Sequence, residues 1–288
     1  MAKGVDTLRA LLRGEGILTV PGATTALLAR VAEDAGFEAV YATGAGMSNM
    51  ILGLPDLGLA SMYEMLENTR RIVDAVNIPV LVDIDNAYGN QINVARTARE
   101  FRKAGAVAMQ MEDQVMPKKC GHFQGKALIS KNEMVAKVKA AKDFMADDAL
   151  LIARTDAIAV NGFDDAMERA NAYVEAGADI LFIEAPTTVE QMKKINKFEG
   201  IPQIINLVEG GLTPILPNNE LEGIGYKIAL YANGPLKSAI RGTQELLRFL
   251  KENGTTIGAD RLMITTKERN RLTHLAYYSD IERQYDGK

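Results

Sequence analysis

The chain has 288 residues, of which 47% are hydrophobic and 24% charged, and its formal net charge is -4. This composition is typical of a folded globular protein, and the dispersed lysines and arginines give no basic surface for nucleic acid. Its single cysteine excludes an intrachain disulfide, and neither a signal-peptide core nor an apolar run of roughly 20 residues is present, so we expect a cytoplasmic protein that binds small molecules, not membranes.

Eight short apolar runs rich in β-branched residues alternate with stretches of helical spacing. They cover residues 17–20, 38–41, 79–83, 107–111, 150–154, 179–183, 203–207 and 227–231. Such strands predict a parallel sheet covered by helices, and eight units favour a closed (β/α)8 TIM barrel, of the α/β class, over an open doubly wound sheet. We predict one domain over residues 1–288, including a C-terminal helical extension from about 267 to 284 that packs on a neighbouring subunit.

Polar side chains follow six of the predicted strands at the point where each strand ends. They are the segment YATGAG (41–46), Asp83 with Asp85, Glu112 with Asp113, Arg154 with Asp156, Glu184, and Asn206 with Glu209. One acidic residue after a strand is most often a helix N-cap. In a TIM barrel, however, all these strand ends meet at the face that carries active sites, so together they predict one common site.

The acidic residues of this set predict a divalent cation. Asp83 and Asp85 lie two apart on one strand and point to the same face, and with Glu112 they need a counter-ion. Carboxylates without a histidine or thiol partner favour Mg2+, with Mn2+ as the alternative. The two histidines, His122 and His274, lack the spacing of zinc ligands, and we predict a structural or surface role for His274.

The segment MPKKCGHFQGK (116–126) contains the cysteine, Cys120. Its proline and glycines interrupt regular structure, which predicts a long loop after the fourth strand. Most lone cysteines are small buried hydrophobes, and clustered lysines often mark only a solvated loop. Here three lysines and His122 would favour the thiolate form, so we predict a reactive cysteine on a mobile lid over the site.

The chain resembles the isocitrate lyase and phosphoenolpyruvate mutase superfamily over nearly its whole length. The resemblance rests on LGLPDLG (52–58), DIDNAYGN (83–90), EDQ (112–114), KKCGH (118–122), ARTDA (153–157) and NLVEGGLTP (206–214). It implies a TIM barrel that uses Mg2+ on 2-oxo or 2-hydroxy carboxylates, and a homotetramer in which a terminal helix is exchanged. The short carbon–carbon lyases that act on 2-methylisocitrate or 2,3-dimethylmalate are the most similar members in length and motifs.

The resemblance also implies a role for individual residues. Asp85 would be the main metal ligand, directly or through water, with Asp56, Asp83 and Glu112 completing the shell. Cys120 would be the catalytic acid, and Tyr41 is a candidate for the base. The residues expected to contact the substrate are Tyr41, Thr43, Gly44, Ala45, Gly121, His122, Arg154, Glu184 and Asn206.

Three segments depart from the pattern of the lyases. The chain has Thr-Gly-Ala-Gly at 43–46 instead of Ser-Gly-Gly-Gly, Asn86-Ala87 after the metal aspartate instead of Thr-Gly, and YANGPLKSA at 231–239, which is closer to mutase members. The alternatives are therefore an oxaloacetate decarboxylase or hydrolase, and carboxyphosphonoenolpyruvate mutase. A noncatalytic protein that binds a metal–dicarboxylate ligand is the alternative from another class.

Overall fold

Eight parallel strands, β1 to β8, close into a barrel in chain order. The computed structural model describes residues 3–121, 125–198 and 200–286. The strands are Leu18–Ala23, Val40–Ala42, Val80–Asp83, Ala108–Glu112, Leu150–Thr155, Ile180–Ile183, Gln203–Asn206 and Ile228–Tyr231. Each predicted strand overlaps one of these, and the predicted TIM barrel is confirmed.

Twelve α-helices, α1 to α12, occur in the described part of the chain. They are Lys3–Arg13, Ala26–Asp34, Gly44–Met47, Met62–Ala75, Gln91–Lys103, Lys131–Met145, Phe163–Glu175, Val189–Ile195, Asn218–Ile224, Gly234–Asn253, Thr266–Leu272 and Leu275–Tyr285. A π-helical turn at Ser48–Leu52 continues α3. Across the described residues, no helix combines the length and apolar character that crossing a membrane requires.

Alternate positions of the strands belong to two separate buried clusters. Leu81 and Ile152 belong to the cluster that also contains Val5 and Leu8 of α1. Their strand neighbours, such as Val82, belong to the cluster that includes the apolar faces of the surrounding helices. Because side chains alternate across a strand, the first cluster fills the barrel and the second joins sheet to helices. The apolar packing that stabilises the barrel therefore lies below the strand ends, and the polar residues lie at the mouth, the face formed by the carboxyl ends of the strands.

The described residues form two compact units that divide between Gly234 and Pro235. The first unit contains the barrel, and the second contains most of α10 together with α11 and α12. The predicted extension over 267–284 is helical but is two helices, since exposed His274 between α11 and α12 has a φ of 57°, which an α-helix does not accommodate. That the whole chain is one domain stays a prediction.

Candidate active site

A small pocket opens at the carboxyl ends of the strands. Ten of the residues predicted for the site line it: Tyr41, Thr43, Ala45, Asp56, Asp83, Cys120, Gly121, Arg154, Glu184 and Asn206. His122 lies outside the described residues. Phe182, Leu230, Ala232 and Asn233 also line the pocket, and the apolar members of this group look like ordinary core residues in the sequence. The structure thus brings most of the predicted residues together, while their roles stay predictions.

Tyr41 of β2 lines the pocket together with Thr43 and Ala45 of the turn that follows this strand. Thr43 Oγ1 accepts a hydrogen bond from the backbone N–H of Gly46 at 3.4 Å and caps α3, so the chain turns directly from strand to helix. The Tyr41 hydroxyl donates to Gln110 Oε1. Burial, followed by the negative charge of Asp83, raises the pKa of Tyr41 well above its ordinary value. Tyr41 is therefore protonated in this arrangement.

Lys118 provides a positive charge within the acidic cluster, a role that its sequence context did not reveal. Its Nζ forms an ion pair with Asp56 and lies 2.7 Å from Asp85 Oδ1, and all three side chains are buried. Burial alone would lower the pKa of Lys118, but Asp85, Glu112 and the other carboxylates raise it well above its ordinary value. A charged ammonium thus neutralises part of the cluster for which a counter-ion was predicted.

Asp83 and Glu112 are the two carboxyl groups of the acidic cluster whose pKa values are raised. Burial and then the charge of Asp85 raise the pKa of Asp83 to about 6, and burial raises that of Glu112 well above its usual range. Glu112 Oε1 is buried and accepts no hydrogen bond from the residues that the structure describes. In the ranges that the structure describes, no three histidine, cysteine or acidic side chains are arranged to hold a metal ion. Mg2+ usually keeps several of its own waters and is held by only one or two carboxylates, so a metal site at these residues stays a prediction.

Gly44 leaves the space that these carboxylates occupy. A Cβ at this position would lie 2.7 Å from Asp83 Oδ2 and 3.4 Å from Asp85 Oδ1, so a methyl group would displace the Asp83 carboxylate. The segment TGAG was predicted as a grip on the substrate. Its first glycine, Gly44, also leaves room for the side chains of Asp83 and Asp85 in their observed positions.

We expect Gly44→Ala to lower both Mg2+ affinity and turnover by about 10 to 100-fold, the usual cost of displacing groups that orient a metal site. Titration calorimetry with Mg2+ and steady-state kinetics measure the two effects. Gly223→Ala is the matched control, because no atom lies within 4 Å of its added methyl in α9. Wild-type metal affinity in Gly44→Ala would show that this contact does not set the carboxylate geometry.

Arg154 is the centre of a buried ion-pair network at the end of β5. Its guanidinium binds Asp156 through two bonds, Nε–Oδ2 at 3.0 Å and Nη2–Oδ1 at 3.1 Å. It also pairs with Glu112 at 3.4 Å and with Glu184 at 3.3 Å, and it lies over the Phe182 ring, 5.1 Å from the centroid. Burial would lower its pKa, yet these carboxylates, Asp156 foremost, raise it well above its ordinary value. Arg154 is thus a fixed cation at the pocket wall.

Asp113 supports this network through Asp156. It accepts hydrogen bonds from Thr155 Oγ1 at 2.7 Å, from the backbone N–H of Asp156 at 3.1 Å and from the Tyr173 hydroxyl at 2.7 Å. It also pairs with Arg169 at 3.2 Å. The carboxylate after β4 that was predicted to face the site therefore acts by fixing Asp156, a strand-end residue for which the sequence predicted no individual role.

Cys120 lines the pocket, as Asp56 and Asp83 do, and is partly exposed. Its backbone N–H donates to the Asp56 carbonyl at 3.2 Å. The Gln114 side chain binds both backbone groups of Lys119, donating to its carbonyl at 2.8 Å and accepting from its N–H at 2.9 Å. A bridge between Gln114 and Leu128 joins the two ends of the loop. The backbone of Lys119 and Cys120 is thus held by Gln114 and Asp56.

The sequence and structure are similar to those of several known enzymes. The pattern of the phosphoenolpyruvate phosphomutase family matches residues 8–251. The 2,3-dimethylmalate lyase of Eubacterium barkeri is 46% identical over 281 residues, 96% of either chain. The 2-methylisocitrate lyase of Aeropyrum pernix is 44% identical, over 86% of this chain and 80% of that one.

Two solved structures share the fold over almost the whole chain. An oxaloacetate acetylhydrolase bound to 3,3-difluorooxaloacetate has a TM-score of 0.93 and 31% identity, covering 100% of this chain and 98% of its own. A phosphonopyruvate hydrolase in complex with oxalate and Mg2+ has a TM-score of 0.88 and 30% identity, covering 98% and 99%. Similarity thus extends to enzymes that differ in the bond they cleave.

Proposed function

The chain belongs to the phosphoenolpyruvate phosphomutase family, and we propose that it is a carbon–carbon lyase. Its substrate would be a 2-hydroxy di- or tricarboxylate of the 2,3-dimethylmalate or 2-methylisocitrate type, and its products pyruvate plus propionate or succinate. The observation that carries the proposal is one pocket lined by a thiol, Cys120, and a carboxylate-binding cation, Arg154. The names of two relatives at 46% and 44% identity support the substrate class.

The reaction requires one proton to leave the substrate and one to return. The C2 hydroxyl loses its proton, the C2–C3 bond breaks, and C2 becomes the carbonyl carbon of pyruvate. The electron pair of the broken bond stays on C3, next to a carboxylate that delocalises it. The Cys120 thiol then donates its proton to C3, which releases propionate or succinate. Arg154 would hold a substrate carboxylate throughout.

The acidic cluster would hold Mg2+, with Mn2+ as the alternative, through Asp85 first and then Asp56, Asp83 and Glu112. When bound, the ion would supply Lewis-acid stabilisation of negative charge on the substrate oxygens. The donor chemistry and Glu112 Oε1, which accepts no hydrogen bond within the described part of the chain, support this assignment. The solved hydrolase with bound Mg2+ supports it independently.

Tyr41 is our candidate for the base that takes the hydroxyl proton. Its raised pKa has two main causes, burial and the charge of Asp83. A divalent cation paired with Asp83 would oppose the second cause and leave the first, burial, in place. Thr43, Gly44, Ala45, Gly121, His122, Glu184 and Asn206 complete the proposed contacts with the substrate.

A substrate panel separates this function from an oxaloacetate hydrolase, an oxaloacetate decarboxylase and the noncatalytic alternative. We expect 2,3-dimethylmalate or 2-methylisocitrate to give pyruvate, measured by NADH oxidation with coupled lactate dehydrogenase, and to outpace oxaloacetate at equal concentration. Oxaloacetate hydrolase, favoured by the structural similarity to an acetylhydrolase, would instead give oxalate and acetate. Pyruvate from oxaloacetate alone would indicate a decarboxylase. Tight binding of these acids without any product would favour the noncatalytic alternative.

We propose that the protein assembles as a homotetramer through its C-terminal helices. Several large apolar side chains of α12 are exposed in the single chain: Leu275, Tyr277, Tyr278, Ile281 and Tyr285. An exposed apolar helix face of this kind supports burial against another subunit. Location in the cytoplasm stays a prediction from the sequence.

A further inference from the structure

Lys126 lies at the end of the Cys120 loop and has a buried ammonium group. Its side chain is 2% exposed, and its Nζ lies 3.0 Å from Asp156 Oδ1. The same Nζ donates to the backbone carbonyl of Gly121, the residue after Cys120. A lysine buried to this extent loses its hydration and needs partners to remain charged. Lys126 therefore joins two groups that belong to different parts of the site.

The first of these groups, Asp156, connects Lys126 to the carboxylate-binding cation. Asp156 is fully buried and binds Arg154 through both carboxylate oxygens. Burial would raise the pKa of Asp156, but Arg154 and then Lys126 lower it below its ordinary value. Asp156 is therefore a shared anion, with Arg154 on the pocket side and Lys126 on the loop side.

The second group, Gly121, connects Lys126 to the proposed proton donor. A Cβ at Gly121 would lie 2.4 Å from Arg154 Nη2 and 2.9 Å from the Glu184 side chain, so its backbone lies directly on that ion pair. Lys126 binds the carbonyl of this residue. The backbone next to Cys120 is thus held against Arg154 by packing on one side and by Lys126 on the other.

We propose that Lys126 is a positioning residue, which holds the Gly121 carbonyl and Asp156 together and thereby sets the distance between the Cys120 thiol and the Arg154 guanidinium. Its consequence for catalysis rests on the proposed function, because only a proton transfer from Cys120 to an Arg154-bound acid needs that distance. Its effect on the position of the loop, measured by the alkylation rate of Cys120, does not depend on the proposed function. The two consequences are therefore measured separately.

The neighbouring Lys119 offers a matched control. It carries the same charge one residue from Cys120, but its Nζ is exposed and binds only the carbonyl of Gly125, at 2.9 Å, among the contacts that the structure describes. Lys119→Met and Lys126→Met each remove one positive charge near the thiol. A general effect on the thiolate would appear in both variants, whereas loss of positioning would appear only in Lys126→Met.

The test compares the two variants with the wild type by two readouts. Iodoacetamide should alkylate Cys120 about 10-fold faster in Lys126→Met than in Lys119→Met, because the restraint on the thiol is lost. In kinetics, kcat should fall by about 10 to 100-fold in Lys126→Met with a smaller change in KM, as for other groups that orient a reacting group. Lys119→Met should stay within about twofold, and Lys126→Arg should recover part of kcat.

Equal alkylation rates and equal kcat in Lys126→Met and Lys119→Met would overturn the proposal. If the wild type shows no lyase activity, the proposed function fails, while the alkylation rates still test the positioning. If Lys126→Met does not fold, Lys126→Gln and Asp156→Asn break the same contact from its two ends. Wild-type alkylation in whichever of these folds would likewise overturn the proposal.

Discussion

Replacing Cys120 by serine should lower turnover by about 100-fold or more, the lower end of what general acid catalysis contributes. Serine keeps the shape of the side chain, but its hydroxyl is a far weaker acid than a thiol of pKa about 8.5. The carbanion left on C3 would then lack a donor of suitable acidity. Steady-state kinetics with 2,3-dimethylmalate or 2-methylisocitrate measure the loss, once the panel has identified the better substrate.

Binding measurements distinguish loss of the proton donor from damage to the pocket. Cys120 contacts the barrel through its backbone N–H to the Asp56 carbonyl, which serine retains. Affinity for Mg2+ and for a product such as pyruvate should therefore stay near that of the wild type. In the unmodified enzyme, iodoacetamide should abolish activity, and bound product should slow this inactivation. Full activity of Cys120→Ser would exclude the thiol as the donor.

The barrel could be predicted from the sequence because its signals are local. Each strand is a short apolar run, and glycine ends several of the preceding helices, so the eight units are visible without any long-range contact. The break at His274 could not be foreseen, since the helical pattern runs through it. A left-handed backbone at a non-glycine residue has no reliable signature in a single sequence.

The sequence predicts which residues belong to the site, but it does not predict which of them form ion pairs with each other. Strand ends placed Asp83, Arg154 and Glu184 in one mouth because a barrel gathers all such ends. Which cation meets which carboxylate depends on contacts between distant segments: Lys118 and Asp56 are 62 residues apart in the sequence. Lys118 and Lys126 appeared in the sequence as similar charges on one loop. In the fold they bind different carboxylates, Lys118 at Asp56 and Lys126 at Asp156.

The second large effect on turnover is expected for Asp85→Ala, in the acidic cluster. We expect this variant to lose turnover by about 1000-fold or more, because Lewis-acid stabilisation is worth several kcal/mol and each 1.36 kcal/mol is a factor of ten in rate. Asp85 is buried at the end of β3, where its carboxylate lies beside Asp83 and within 2.7 Å of Lys118 Nζ. Turnover at saturating Mg2+ and calorimetric Mg2+ affinity should fall together.

Asp56→Ala is the control that separates the metal from the ion pair. Both aspartates bind Lys118, so either substitution leaves that ammonium with one carboxylate fewer. If loss of this ion pair were the cause, the two variants would be impaired alike. If Asp85 is the main ligand and Asp56 acts through water, Asp56→Ala should lose only about 10 to 100-fold. Turnover that persists in excess EDTA, with metal absent by elemental analysis, would refute the metal assignment. Equal and mild losses in both variants would refute the ranking of Asp85 above Asp56 and would point to the shared ion pair with Lys118 as the cause.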